Sequence, residues 1–110
     1  MNDCLFCKII RKEIPSKPVF ESGTIIAFPD INPAAEIHLL IIPKKHIGGM
    51  KDLTLNDGKM LAEIYQVANK LVSQYNLDDK LYRLVVNGGL AQHVPHIHLH
   101  LLGGKLKKTA

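Results

Sequence analysis

Three imidazoles stand at alternate positions in His96-Ile97-His98-Leu99-His100-Leu101-Leu102. In an extended chain successive side chains point to opposite faces, so the three would line one face at intervals of roughly 6.5–7 Å while Ile97, Leu99 and Leu101 fill the other. Two chemistries use such a row. Imidazoles two apart on a strand can hold zinc. Alternatively, a neutral imidazole attacks an electrophilic phosphorus while its neighbours donate protons. That second chemistry wants a phosphate pocket, and Asn87, Gly88, Gly89 and the amide of Gln92 are neutral donors of the kind that approach phosphate oxygens closely. A second reactive pair is Cys4 and Cys7. Thioredoxin-type exchange would need a preceding strand and a βαβ unit, which the flanking sequence lacks; two ligands of a four-ligand zinc site are a better reading, and two buried thiols on an apolar helix are the other one.

A few elements must position these groups. Asp3 ahead of Leu5, Phe6, Ile9 and Ile10 predicts an N-capped helix that ends before Pro15, with Cys4 and Cys7 one turn apart on one side. Val19-Phe20 and residues 24–28, separated by Glu21-Ser22-Gly23, predict a hairpin, and Asp30-Ile31-Asn32-Pro33 a second break. Residues 37–42 read as a strand covered on both faces, in which the embedded His38 needs a partner. After His46 and Gly48-Gly49, Thr54 and Asp57 predict the capped start of a long helix. Its stripe of Leu61, Ile64, Tyr65, Ala68, Leu71, Val72 and Tyr75 is core or interface. Residues 81–86 read as a strand, Asn87-Gly88-Gly89 as a loop, and residues 97–102 as a final strand that stops before Gly103-Gly104 and a basic tail. This order suits an α+β fold, an antiparallel sheet packed by helices.

At 110 residues, 46% hydrophobic and 22% charged, the chain fits a single domain over 1–110 with a core that needs no staples, and repeat arrays and disordered classes are excluded. The cysteines lie too close together to cross-link distant parts, and no charged-then-apolar leader precedes them, so a reducing cytoplasm is expected. The longest apolar run, Leu39 to Ile42, falls far short of the ~20 residues a membrane helix needs. The formal charge of +4 gathers in Lys44-Lys45 and Lys107-Lys108 and would draw phosphate-bearing ligands. Aromatics, 5% of the chain, do not interleave with these basic residues, which argues against nucleic acid.

The alternating histidines resemble the histidine triad (HIT) superfamily, in its Hint-like nucleotide-binding branch. The resemblance runs almost end to end. It takes in Cys4-Leu5-Phe6-Cys7-Lys8-Ile9-Ile10, Glu13-Ile14-Pro15, Ala27-Phe28 with Asp30-Ile31, His38 through Ile42-Pro43-Lys44-Lys45-His46, Val86-Asn87, and Gln92 to Gly104. It implies a HIT-like fold with one long and one short helix, whose sheet extends across a homodimer aided by the long helix, with Tyr65, Leu71 or Val72 available to the interface. It implies binding of a purine mononucleotide such as AMP or GMP, and hydrolysis of nucleoside 5′-phosphoramidates through a nucleotidyl-histidine on His98. His100 and His38 would serve phosphate and proton relay, with His96 completing the catalytic row. Leu5, Phe6, Ile9, Phe28 and Ile31 would surround the base, Asp30 would bond the ribose hydroxyls, and Asn87 and Gln92 would lie by the phosphate. In zinc-bearing relatives the first triad histidine and a histidine after the Ile-Pro strand complete the cysteine site; these are His96 and His46, and they would hold a structural zinc with Cys4 and Cys7. The alternatives are dinucleoside polyphosphate hydrolysis, as in another branch, and a non-catalytic nucleotide- or zinc-binding interaction protein.

Two positions depart from the family pattern. His93 stands where many relatives carry a small hydroxyl residue that contacts phosphate; it would take over that contact or point to solvent. The residues after Gly104 are basic and lack the aromatic, proline-containing tail with which some relatives reach the neighbouring site. A basic tail there would favour acidic or phosphate-rich substrates.

Overall fold

The computed structural model describes residues 4–108. A short helix α1 (Leu5–Ile10) leads into strands β1 (Phe20–Glu21), β2 (Ile25–Pro29) and β3 (Ala35–Pro43). Then come the long helix α2 (Gly58–Gln74) and strands β4 (Tyr82–Val85) and β5 (Leu99–Leu106). The strands form one antiparallel sheet in the order β1-β2-β3-β5-β4, with β3 paired to β5 through Leu40 opposite His100 and His38 opposite Leu102. Among the described residues no helix is long and apolar enough to cross a membrane.

The alternation of strand side chains divides the sheet into two faces. Ile25, Ala27, Leu39, Ile41, Leu99 and Leu101 pack under α2, against its Ile64, Val67, Ala68, Leu71 and Val72. Ile26, Phe28, Leu40 and Ile42 point the other way and pack against Cys4, Phe6, Cys7 and Ile9 of the α1 segment. His100, opposite Leu40, belongs to this second face. The central strands are thus covered on both sides, as the near-continuous apolar run of β3 predicts.

Several boundaries differ from the sequence reading. The expected cap Asp3 lies outside the described residues, and among those described no side-chain hydrogen bond caps α1. Thr54 and Asp57 form their reciprocal capping pair, but around the 3₁₀ turn Leu55–Asp57 that precedes α2 rather than on α2 itself. The buried stripe of α2 includes Val67 and omits Tyr65, which is 52% exposed; Leu71 and Val72 are core residues and not open to an interface. The last strand starts at Leu99, not 97, and runs through Gly103-Gly104 to Leu106. A Cβ on Gly103 would lie 2.7 Å from Leu77 Cδ1, and Gly104 adopts φ +79 beside Glu36, so these glycines allow close packing instead of ending the strand.

Candidate active site and metal centre

The segment that enters β5 carries two sites back to back. His98 Nδ1–H donates to the carbonyl oxygen of His96 at 2.7 Å, which leaves His98 Nε2 with its lone pair free. His96 turns away: its Nε2–H donates to the Pro43 carbonyl oxygen at 2.8 Å, so its Nδ1 is the open position. Phe6 wedges between the two sites, its ring edge-on to His96 at 5.9 Å, to His98 at 5.0 Å and to Phe28 at 5.7 Å.

A proton chain of fixed direction runs behind His98. The Ala34 N–H donates to His38 Nδ1 at 2.9 Å, which makes that nitrogen an acceptor and puts the proton of neutral His38 on Nε2. His38 Nε2–H then donates to His100 Nδ1 at 2.8 Å, and His100 Nε2 points toward the Asn87 amide 3.4 Å away. Asp30 closes the group, its Oδ2 3.5 Å from His38 Nε2 and its Oδ1 accepting from the Asn32 N–H at 2.8 Å. Burial is the main cause that pushes His38, His96 and His98 below the ordinary imidazole value and His100 down to about 4, where neighbouring His98 and His38 add to it. The triad face therefore holds neutral imidazoles at pH 7.

These groups open onto a cavity of about 400 Å³. Of the residues expected at a nucleotide, Leu5, Phe6, Ile9, Phe28, Asp30, Ile31, Asn87, His93, His98 and His100 line it, together with His38. Its apolar end is made by α1 and β2 and its polar end by the histidines, Asp30 and Asn87. Gln92 does not line it: its Nε2 donates to the carbonyl oxygens of Gly48 at 2.6 Å and Val94 at 3.0 Å, and so braces the loop. His96 stands outside as well. His93 is exposed at the rim, where the cavity meets a neighbouring cleft beside His46 and Cys4. Lys108 lines the cavity as well; the sequence marks it as part of a basic tail that draws phosphate-bearing ligands but does not assign it to the site.

Behind the triad, Cys4, Cys7, His46 and His96 bring their ligand atoms within 4.8 Å of one another. His96 Nδ1 lies 3.6 Å from Cys4 Sγ, 3.5 Å from Cys7 Sγ and 3.2 Å from His46 Nδ1, and Cys7 Sγ lies 3.3 Å from His46 Nδ1. A tetrahedral cation with bonds of about 2.3 Å to sulfur and about 2.0 Å to nitrogen would set S···N near 3.5 Å and N···N near 3.3 Å, so the donor set fits such an ion without rearrangement. Burial and the adjacent Cys4 raise the Cys7 thiol, a cost that a bound cation reverses by favouring thiolate.

An antiparallel α+β sheet that presents a row of buried histidines to a nucleotide-sized cavity defines a small histidine-based phosphate-chemistry domain. The family described as scavenger mRNA decapping enzyme C-terminal binding matches residues 3–110. The Escherichia coli purine nucleoside phosphoramidase is 41% identical over 108 residues, covering 94% of this chain and 89% of that protein. A HIT family hydrolase from Legionella pneumophila superposes with TM-score 0.91 at 51% identity over 94% of each chain, and a histidine triad protein from Clostridium difficile with TM-score 0.91 at 37% identity over 100% of this chain and 97% of that one. The chain belongs to the histidine triad family.

Proposed function

We propose that this chain is a cytoplasmic, single-domain hydrolase of purine nucleoside 5′-phosphoramidates that works through a covalent nucleotidyl-histidine on His98. The observation that carries the reading is the 2.7 Å bond from His98 Nδ1–H to the His96 carbonyl oxygen, which fixes the tautomer and leaves Nε2 as the nucleophile at the cavity. A purine fits between Leu5, Phe6, Ile9 and Phe28, with Ile31 at the rim. The Asp30 carboxylate accepts from the ribose hydroxyls and discriminates against deoxyribose, which would leave it unpaired. The phosphate then meets Asn87, His93, His98 and His100.

His98 Nε2 attacks the α-phosphorus as the P–N bond to the amine breaks. The departing nitrogen takes up a proton, for which His100 Nε2–H, backed by His38, is the placed donor. Water then attacks the phosphorus and gives its proton to His100 Nε2, the P–N bond to His98 breaks, and the mononucleotide leaves with both rings back in their starting forms. The fit of Cys4, Cys7, His46 and His96 supports a structural zinc held by these four, so His96 acts through its carbonyl and not through its ring. Zinc would supply the cross-link between α1 and the strand that carries the triad, and no step of the reaction passes through it.

A homodimer is part of the proposal. In the described chain β4 is an edge strand with Tyr82 40% and Leu84 37% exposed, and Tyr65 of α2 is exposed too. A second copy paired at this edge would continue the sheet and cover them.

The test is turnover of adenosine 5′-phosphoramidate and of a diadenosine polyphosphate by wild type and His98→Ala. Preferential release of AMP from the phosphoramidate, with the trapped adduct absent and turnover at least ~10³-fold lower in the variant, is expected. Preference for the polyphosphate would shift the substrate class. An adduct that survives in His98→Ala would overturn the nucleophile, and nucleotide binding without turnover of either substrate would make this a binding protein.

A further inference from the structure

A nucleoside monophosphate brings negative charge to the polar end of the cavity, yet His38 and His100 are held toward their neutral forms there by burial. Among the described residues that line the cavity, Lys108 is the one Lys or Arg. It is exposed, and no carboxylate of the described residues pairs with it. Its backbone is fixed nonetheless. Leu106 pairs with Ala35 in the sheet, and the N–H groups of Lys107 and Lys108 donate to the Ala34 carbonyl oxygen at 2.7 and 3.3 Å. Ala34 is also the residue whose N–H sets the tautomer of His38, so the tail is tied to the outer end of the relay. Asp30, Asn32, Ala34 and His38 line the cavity with Lys108, whereas the apolar residues of α1 form the other end.

We propose that Lys108 is the specificity-determining cation of this site, and that the substrate it selects carries a second anionic group, a carboxylate or a phosphate, on the part that leaves. The inference rests on the phosphoramidase reading for the reaction, and on the cavity alone for the recognition. An ammonium on a flexible stem suits it: Lys pairs with either anion as a point charge, without the fixed fork of Arg. A substrate whose leaving amine bears no charge would offer that ammonium only the α-phosphate that all these substrates share, and so would gain no preference from it.

The experiment has two arms, each run on the full chain as wild type, Lys108→Gln and Lys108→Arg. Calorimetric titration compares AMP with ADP, whose second phosphate occupies the leaving position. Turnover compares adenosine 5′-phosphoramidates of glycine and of glycinamide, which differ in one carboxylate. Wild type is expected to favour the more anionic member of a pair about tenfold, in Kd for the first arm and mainly in KM for the second. Lys108→Gln is expected to remove that ratio and Lys108→Arg to keep most of it. A ratio lost only for ADP identifies a phosphate as the group selected, and one lost only for the glycine adduct a carboxylate; either supports the assignment. A ratio in Lys108→Gln equal to that of wild type in both arms, or no ratio in wild type, overturns it. If wild type turns over neither phosphoramidate, the hydrolase reading falls while the titration still decides Lys108.

Discussion

His38 and His100 share one hydrogen bond of 2.8 Å, and two buried imidazoles at that distance cannot both ionise without repulsion. Their folded pKa values lie below the ordinary ~6.5 of an exposed imidazole, so the unfolded chain binds protons first as the pH drops. Stability is therefore full above about 6.5 and declines as the pH falls toward the folded value of His100, about 4. Urea unfolding between pH 7.5 and 4.5 is expected to show this loss, with up to about 3 kcal/mol belonging to His100 and a shallower slope in His100→Gln. Equal slopes in the two proteins would show that the histidine pair does not govern acid stability. The alternation of His96, His98 and His100 was legible from the sequence because a period of two is a local property. What each ring does was not, because the tautomers depend on which backbone group each ring meets: the Ala34 N–H and the Pro43 carbonyl, from distant parts of the chain, and the His96 carbonyl, turned toward His98 by the local backbone. Gln92 illustrates the opposite error. An amide near glycines suggests a phosphate donor, yet here backbone carbonyls already occupy it.

At the scale of elements, α1 is the weakest part of the sheet's second face. It spans six residues, no side chain among the described residues caps it, and isolated helices of that length do not persist in water. Its contacts hold it: Cys4 and Cys7 at the ligand cluster, Phe6 and Ile9 against β2 and β3. The helix also supplies Leu5, Phe6 and Ile9 to the cavity. Loss of the cluster must therefore loosen nucleotide binding as well as stability. The purified protein is expected to carry about one zinc per chain. Stripping it with a chelator, or Cys7→Ser, should lower Tm by roughly 10 °C, speed amide exchange in α1 and weaken AMP binding several-fold. A protein that purifies without metal, with Tm unchanged by chelator, would show that the four residues pack as a plain thiol–imidazole cluster. The helix and its cysteine side were readable from spacing alone. The stripe of α2 was readable only approximately: the buried set 64, 67, 68, 71 and 72 keeps strict helical spacing, and the aromatic Tyr65 flanks it instead of belonging to it.

Over the whole molecule, the strand order puts β3 and β5 at the centre, each covered on both faces, and leaves β4 with an unpaired outer edge. If a second copy pairs there, sedimentation should give about twice the 12.2 kDa chain mass, and Leu84→Lys, which places a charge at that edge, should shift the protein to monomer at micromolar concentration. A monomeric wild type would remove the dimer from the functional reading. The fold class followed from the order of elements, whereas the path of the tail did not. Two glycines in sequence ordinarily punctuate, but here Gly103 makes room for Leu77 and Gly104 turns left-handed beside Glu36, with a register shift in β3 between Ala35 and Ile37. That bend is what returns the tail across Ala34 to the rim of the cavity. The described residues after Gly104 are thus held by their backbone, through the pairing of Leu106 with Ala35 and the bonds to Ala34, while the histidines, the apolar end and the ligand cluster all lie upstream of them. Side chains on that scaffold can change while its backbone bonds persist, so the tail is a place where selectivity can diverge apart from the residues of the triad.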